Sequence, residues 1–392
     1  MLKAIIEIPR QLPEDATFLR ALESSPFLTN GYALKSVLQA QELIKEKMGG
    51  IEAAKSSIRS ALALQDKIPL SSSLFKGITG IGWASQLTIR SQEDAHAHQW
   101  LNDLDDILAN AIEYTTKPKL DLIDGLAGVL VYGIRRGRKC TSSLHLWKCL
   151  ETAIFPKLEE WLNTAHDCNL APTAKDFLRN LGIAHGMPGL LLMTITAYQR
   201  GLVSEATGNM ARLGFDHLWS FAILNGCRSA LFPSLIGNTE PARLAWCYGA
   251  LGLSHAFKVA SHSDNRNTRR FELLVNGCVE QFLDGSHRIT DASLCHGYSG
   301  LAFFMSSFAA SDLLPTHLRE SCRNISQAAT SLTQSLNRGF KSDPSFMWKS
   351  LRGDVPSSSL LEGTSGIILA LLSNRRGCES HLSWAEPLAF YP

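Results

Sequence analysis

Apolar positions along this chain fall into two alternating patterns. In the first, stretches of small and aliphatic residues such as LLLMTITAY and IILALL carry no charge on any side of a helical projection. In the second, charged residues recur at helical spacing, as in EDAHAHQWLNDLDDILANAIEY, LHLWKCLETAIFPKLEEWL, RRFELLVNGCVEQFLDG and LRESCRNISQAATSLTQSLN. A period near 3.6 predicts amphipathic surface helices for the second kind, whereas a helix that is apolar all round has to be enclosed. Strand signals are few.

Each apolar stretch opens on the same signature, Gly-x-x-Gly followed by an aliphatic residue. The copies begin at Gly77, Gly125, Gly186, Gly249, Gly297 and Gly363, which are 48, 61, 63, 48 and 66 residues apart. One such tetrapeptide is a weak signal, but six in a chain with 29 glycines define a repeat. Each repeat reads as a helix pair, an apolar helix shielded by an amphipathic partner. The apolar helices then gather inside and the amphipathic ones wrap them, which predicts an all-α fold, an α/α toroid with a double ring of inner and outer helices. The glycines allow close backbone approach at a crowded inner ring. A solenoid of stacked helix pairs is the structural alternative. No linker divides the repeats, and the polar run SHSDNRNTRR from Ser261 to Arg270 reads as a surface loop. Residues 1–392 are therefore expected to form one domain, with 1–70 as its N-terminal edge and a helix around Ala33 to Lys47.

Charge adds a restriction. With 38 Lys plus Arg against 36 Asp plus Glu, no strong field favours nucleic acid. The N-terminal apolar run is broken by Glu7, Pro9 and Arg10, and no window holds about 18 uninterrupted apolar residues, so a soluble, cytoplasmic protein is expected. Nine scattered cysteines with no Cys-x-x-Cys pair argue against a disulfide framework.

Two of those cysteines need another explanation. If the inner helices run the same way, the one or two residues before each first glycine face a common centre. Those positions hold Phe75-Lys76, Ile123-Asp124, Ala184-His185, Cys247-Tyr248, Cys295-His296 and Leu361-Glu362. Cys247, Cys295 and His296 are the ligand types of a Cys₂His zinc site that leaves its fourth position open. Thiolates at helix N-termini are further favoured by the helix dipole. One zinc ion per chain is expected. A fourth protein ligand, for instance His255, would instead make a closed structural site, and His185 and His296 taken singly are also consistent with capping histidines.

The strings Trp246-Cys247-Tyr248-Gly249, Cys295-His296-Gly297 and Gly182-Ile183-Ala184-His185-Gly186, with SLFKGITG, DLIDGLAG and SLLEGTSG in order, resemble the lanthionine synthetase C-like family from about Ser73 to Leu372. The resemblance implies seven inner and seven outer helices, the seventh inner one lying in the N-terminal region without the motif. It implies zinc on Cys247, Cys295 and His296, an acid/base histidine at His185, and further site residues at Asp121, Arg243 and Tyr248. One departure is Ala250-Leu251, where the family commonly has x-Pro; this touches helix geometry and not the ligands.

The reaction so implied is addition of a cysteine thiol to dehydroalanine or dehydrobutyrine in a dehydrated precursor peptide, giving a lanthionine or methyllanthionine thioether ring. A stand-alone cyclase is expected, working beside a separate dehydratase and a membrane transporter, peripherally at the inner membrane face. Two rivals stay open: a zinc hydrolase using Glu362 as base, and a toroidal scaffold that binds a peptide or glutathione without catalysis.

Overall fold

The computed structural model describes residues 16–43, 50–65, 71–89, 95–164, 177–336, 357–376 and 379–391. Among these are fourteen α-helices: α1 (Ala16–Leu22), α2 (Tyr32–Ala40), α3 (Gly50–Gln65), α4 (Ile78–Thr88), α5 (Ala95–Glu113), α6 (Leu126–Arg136), α7 (Thr141–Thr164), α8 (Met187–Gln199), α9 (Glu205–Trp219), α10 (Ala250–Ser261), α11 (Arg266–Leu283), α12 (Tyr298–Ala309), α13 (Thr316–Ser335) and α14 (Thr364–Arg376). The even-numbered helices form the inner ring and the odd-numbered ones flank them outside. A short antiparallel hairpin, β1 (Ile223–Asn225) and β2 (Ser229–Leu231), pairs Leu224 with Ala230 and packs on α11. No helix among the described residues is long and apolar enough to cross a membrane.

Burial separates the two rings as the polarity pattern predicts. In α8 every residue from Met187 to Ala197 is buried, because a helix inside the ring meets protein on all sides. In α11 one side, carrying Arg266, Arg269, Glu280 and Leu283, is exposed, while Phe271, Leu274, Val275 and Cys278 opposite it are buried. The polar run Ser261–Arg270 is mostly helix, not loop: α10 ends at Ser261 and α11 starts at Arg266. Its arginines are neutralised, Arg266 and Arg270 by Asp216 and Arg269 by Glu272, so the charge does not oppose the helix.

The loops that open the inner helices are stitched together by backbone hydrogen bonds. Thr29 N donates to Phe75 O (3.0 Å), Phe75 N to Ile123 O (3.5 Å), and Leu122 N to Ala184 O (3.1 Å). Ala184 N donates to Cys247 O (3.5 Å), Cys247 N to Cys295 O (3.4 Å), and Cys295 N to Leu361 O (2.9 Å). Leu360 N returns to Thr29 O at 2.8 Å, so the ring closes on its first member and a solenoid is excluded.

That first member is the expected seventh inner helix. Gly31 caps α2 as the first glycines cap the others, while Leu34, fully buried, stands where the second glycine would be. Elsewhere both glycines are sterically required. A Cβ on Gly186 would lie 2.0 Å from Asn180 O and one on Gly189 2.1 Å from Ile183 O, because each helix folds its first turn onto the carbonyls of its own loop.

The C-terminal segment, a 3-10 stretch over Glu379–Leu388 followed by Ala389–Tyr391, packs among the inner helices α4, α6, α10 and α12. Glu386 accepts from Trp83 Nε1 (2.9 Å) on α4 and pairs with Arg135 (2.7 Å) on α6. Phe390 packs on Phe303 and Phe304 of α12 and stacks on His255 of α10, ring centroids 4.6 Å apart. His255 Nε2 meets Ala389 O at 3.1 Å. His255 lies six residues, or about 9 Å of helix, beyond the loops, so it belongs to this packing and is not a fourth metal ligand.

Burial pushes the His255 pKa down to about 3. Its unfolded value near 6.5 is higher, so the unfolded chain takes up the proton first. The stability due to a neutral His255 is complete above about pH 6.5 and is lost toward pH 3, at about 1.4 kcal/mol per pH unit. Between pH 6.5 and 5 urea-unfolding midpoints are expected to fall, and to fall less steeply in His255→Phe.

Candidate metal centre

Cys247, Cys295 and His296 converge where two neighbouring loops meet, each offering one ligand atom within 4.8 Å of the others. The register comes from the repeat. Cys247 and Cys295 each stand two residues before a first glycine, and Cys247 N bonds Cys295 O, so the thiols arrive side by side. All three are nearly closed off, with exposures of 5%, 9% and 7%. The Cys247 thiol is pulled down mainly because Cys295 donates a hydrogen bond to it, with His296 and Arg243 adding to the effect and burial opposing it. Cys295 is pushed up by Cys247, burial and the Glu362 carboxylate. The two shifts run in opposite directions because the sulfurs share one hydrogen bond, whose place a thiophilic dication would take.

Asp291 completes the centre, and the sequence reading missed it. It is 1% exposed, and its Oδ2 lies 3.4 Å from His296 Nε2 with no hydrogen bond of its own. With Nε2 turned to Asp291, Nδ1 is the nitrogen left for a metal, the carboxylate–histidine arrangement that orients ligating imidazoles. Two thiols, an imidazole and an unsatisfied buried carboxylate behind it fit zinc. Asp291→Asn, which keeps the Oδ1 bond from Ser293 N (2.7 Å), is expected to weaken zinc binding about 10–100-fold in a chelator competition while leaving the fold intact.

The signal for Asp291 was the repeat register. Six residues before the first glycine, Ser25, Ser71, Asn180, Asp291 and Ser357 each accept a hydrogen bond from the backbone N–H two residues on. Four residues before it, Ser73, Asp121, Ser293 and Ser359 each accept from the N–H just ahead of the glycine. Asp121 thus braces its own loop with Oδ1, which accepts from Ile123 N (2.9 Å) and Asp124 N (2.7 Å). Serine does that work elsewhere in the ring, so a carboxylate there exceeds what the loop needs. No hydrogen bond joins Asp121 to His185 among the described residues.

His185 stands exposed at the rim of the same end of the ring. Its loop is pressed onto the Cys247 loop: Ala184 N bonds Cys247 O, and a Cβ on Gly182 would lie 2.5 Å from that oxygen. The His185 and Tyr248 rings are 6.5 Å apart, and Tyr248 Oη accepts from Asn180 Nδ2 at 3.0 Å. Arg243, half-buried, is close enough for its charge to lower both thiols. The departure at Ala250-Leu251 leaves α10 intact, but its cap Gly249 takes φ +86° where Gly31, Gly77, Gly125, Gly186 and Gly297 are extended.

The centre thus combines three soft and borderline donors, a buried carboxylate behind the histidine, and a second histidine, a tyrosine and an arginine around the rim. Residues 33–386 match the family model of the lanthionine synthetase C-like protein. No curated protein sequence matches the chain. Among solved structures nisin cyclase is similar, with a TM-score of 0.64, 93% of each chain covered and 18% sequence identity, a likeness of fold. The closed ring of seven inner helices and the family match agree, and the chain belongs to the lanthionine synthetase C-like family.

Proposed function

We propose that this protein is a zinc-dependent peptide cyclase, which adds cysteine thiols to dehydroalanine or dehydrobutyrine in one precursor peptide to form thioether rings. The observation that carries the reading is the meeting of Cys247, Cys295 and His296 with His185 on the adjoining loop. Zinc held by the three ligands would supply a fully deprotonated substrate thiolate, worth roughly thirtyfold over a free thiol of pKa about 8.5 at neutral pH. Orientation of thiol and alkene contributes more, up to about 7–11 kcal/mol in well-aligned cases.

The proton balance needs one residue that takes and returns a proton. The substrate S–H proton passes to His185, the sulfur bonds to the alkene β-carbon, and the π electrons move toward the neighbouring carbonyl as an enolate. His185 then returns the proton to the α-carbon, so the product has the mass of the reactant. In this reading Arg243 and Tyr248 steady the enolate oxygen, and Asp121 orients the His185 imidazole. The protein works in the cytoplasm, at the inner membrane face, beside a separate dehydratase and a transporter.

Incubation of the zinc-loaded protein with a dehydrated, cysteine-containing precursor tests the reading. Free thiols should disappear without change of peptide mass. Persistence of thiols at the uncatalysed rate would favour a binding scaffold. Gain of a water mass would favour the hydrolase reading, for which Glu362, close enough to raise the Cys295 pKa, is the base on hand.

A further inference from the structure

A second group of metal-ligating side chains lies on the outer wall, outside the centre described above. Glu113 ends α5, and His145 and Cys149 stand four residues apart on α7, so both face the same neighbour. Glu113 Oε1 lies 3.2 Å from His145 Nε2 and 3.3 Å from Cys149 Sγ, and one ligand atom of each residue falls within 4.8 Å of the others. Donors held about 2.0–2.3 Å from a tetrahedral zinc are about 3.3–3.8 Å apart, so the two separations lie at the short end of such a tetrahedron's edges and open by only a few tenths of an ångström to admit the ion.

We propose that Glu113, His145 and Cys149 form a second zinc site that ties α5 to α7. A thiolate and a carboxylate neutralise the dication, and the neutral imidazole adds no charge. Sulfur and imidazole donors select zinc over magnesium or calcium. Cys149 also lines a cavity of about 430 Å³ with Thr115, Pro118 and Lys148, which leaves room for water or a small donor at the fourth position. Binding replaces the hydrogen bond that Cys149 donates to Glu113, and the thiol proton leaves to solvent. The bland alternative is a surface His–Glu pair beside a buried cysteine, since the Glu113 and His145 side chains are 47% and 40% exposed.

Zinc stoichiometry of the full chain separates the two, and it does so whether or not the protein forms thioether rings. After dialysis against micromolar free zinc, the wild-type chain should hold two equivalents, and Cys149→Ser and His145→Ala should each hold one with unchanged circular dichroism. With cobalt in place of zinc, Cys295→Ala should still show a thiolate-to-metal absorption band, which disappears when Cys149→Ser is added. Equal zinc content in the wild-type and Cys149→Ser proteins would overturn the proposal. Should Cys295→Ala fail to fold, the comparison of wild type with Cys149→Ser decides alone.

Discussion

A Cys295→Ala protein is expected to lose the metal of the central site and, with it, ring formation down to the uncatalysed rate. Removing one of three ligands leaves Cys247 and His296 on different loops with no third donor to hold the ion, and two-ligand sites bind zinc weakly. The fold should survive. Cys295 bonds its neighbours through its backbone, N to Leu361 O and O from Cys247 N, and alanine keeps both. The packing loss is confined to one sulfur, on the order of 1 kcal/mol. Metal content by mass spectrometry and thermal unfolding, measured on the same sample, separate loss of the ion from loss of the fold. A second readout needs no metal: without its donor Cys295, the Cys247 thiol should return upward toward an ordinary value, so its alkylation at neutral pH should slow. A variant that keeps full metal and activity would remove Cys295 from the centre.

His185→Asn is expected to do the reverse, keeping zinc while turnover falls by about 10²–10⁴-fold. The residue is at the rim and is no part of the ligand set, so its loss leaves the sulfurs and Asp291 in place. The pH–rate profile should lose the limb that reports the histidine, a change that a merely structural role would not produce. Asp121→Ser is the companion variant. Serine accepts the same loop hydrogen bond at Ser73, Ser293 and Ser359, so this change preserves the turn and isolates what the carboxylate does. A fall in turnover with the fold and zinc unchanged would assign Asp121 to the chemistry, and full activity would leave it a loop brace.

Much of this protein is local in origin. Two polarity patterns sort the helices into inner and outer sets, since apolar residues on all sides of a helix admit only an enclosed position. The Gly-x-x-Gly signature marks where six inner helices start, because only glycine fits against the carbonyls of the preceding loop. Equal offsets from those glycines bring Cys247, Cys295 and His296 to one end of the ring, which is why three ligands from two distant segments could be read as one site.

What sequence could not supply was every contact between segments with no shared pattern. Closure depends on Leu360 N reaching Thr29 O, some 330 residues away in the chain, and the N-terminal inner helix carries Leu34 where a glycine would have revealed it. His255, a plausible ligand by residue type alone, is engaged by Phe390 and Ala389, and nothing near position 255 encodes that tail. Asp291 stood in a register shared with serines and an asparagine, and only its placement behind His296 distinguishes a metal-orienting carboxylate from a turn residue. Spacing along the chain determines which residues share a level of the ring, whereas side-chain neighbours across it depend on the folded geometry of all seven repeats at once.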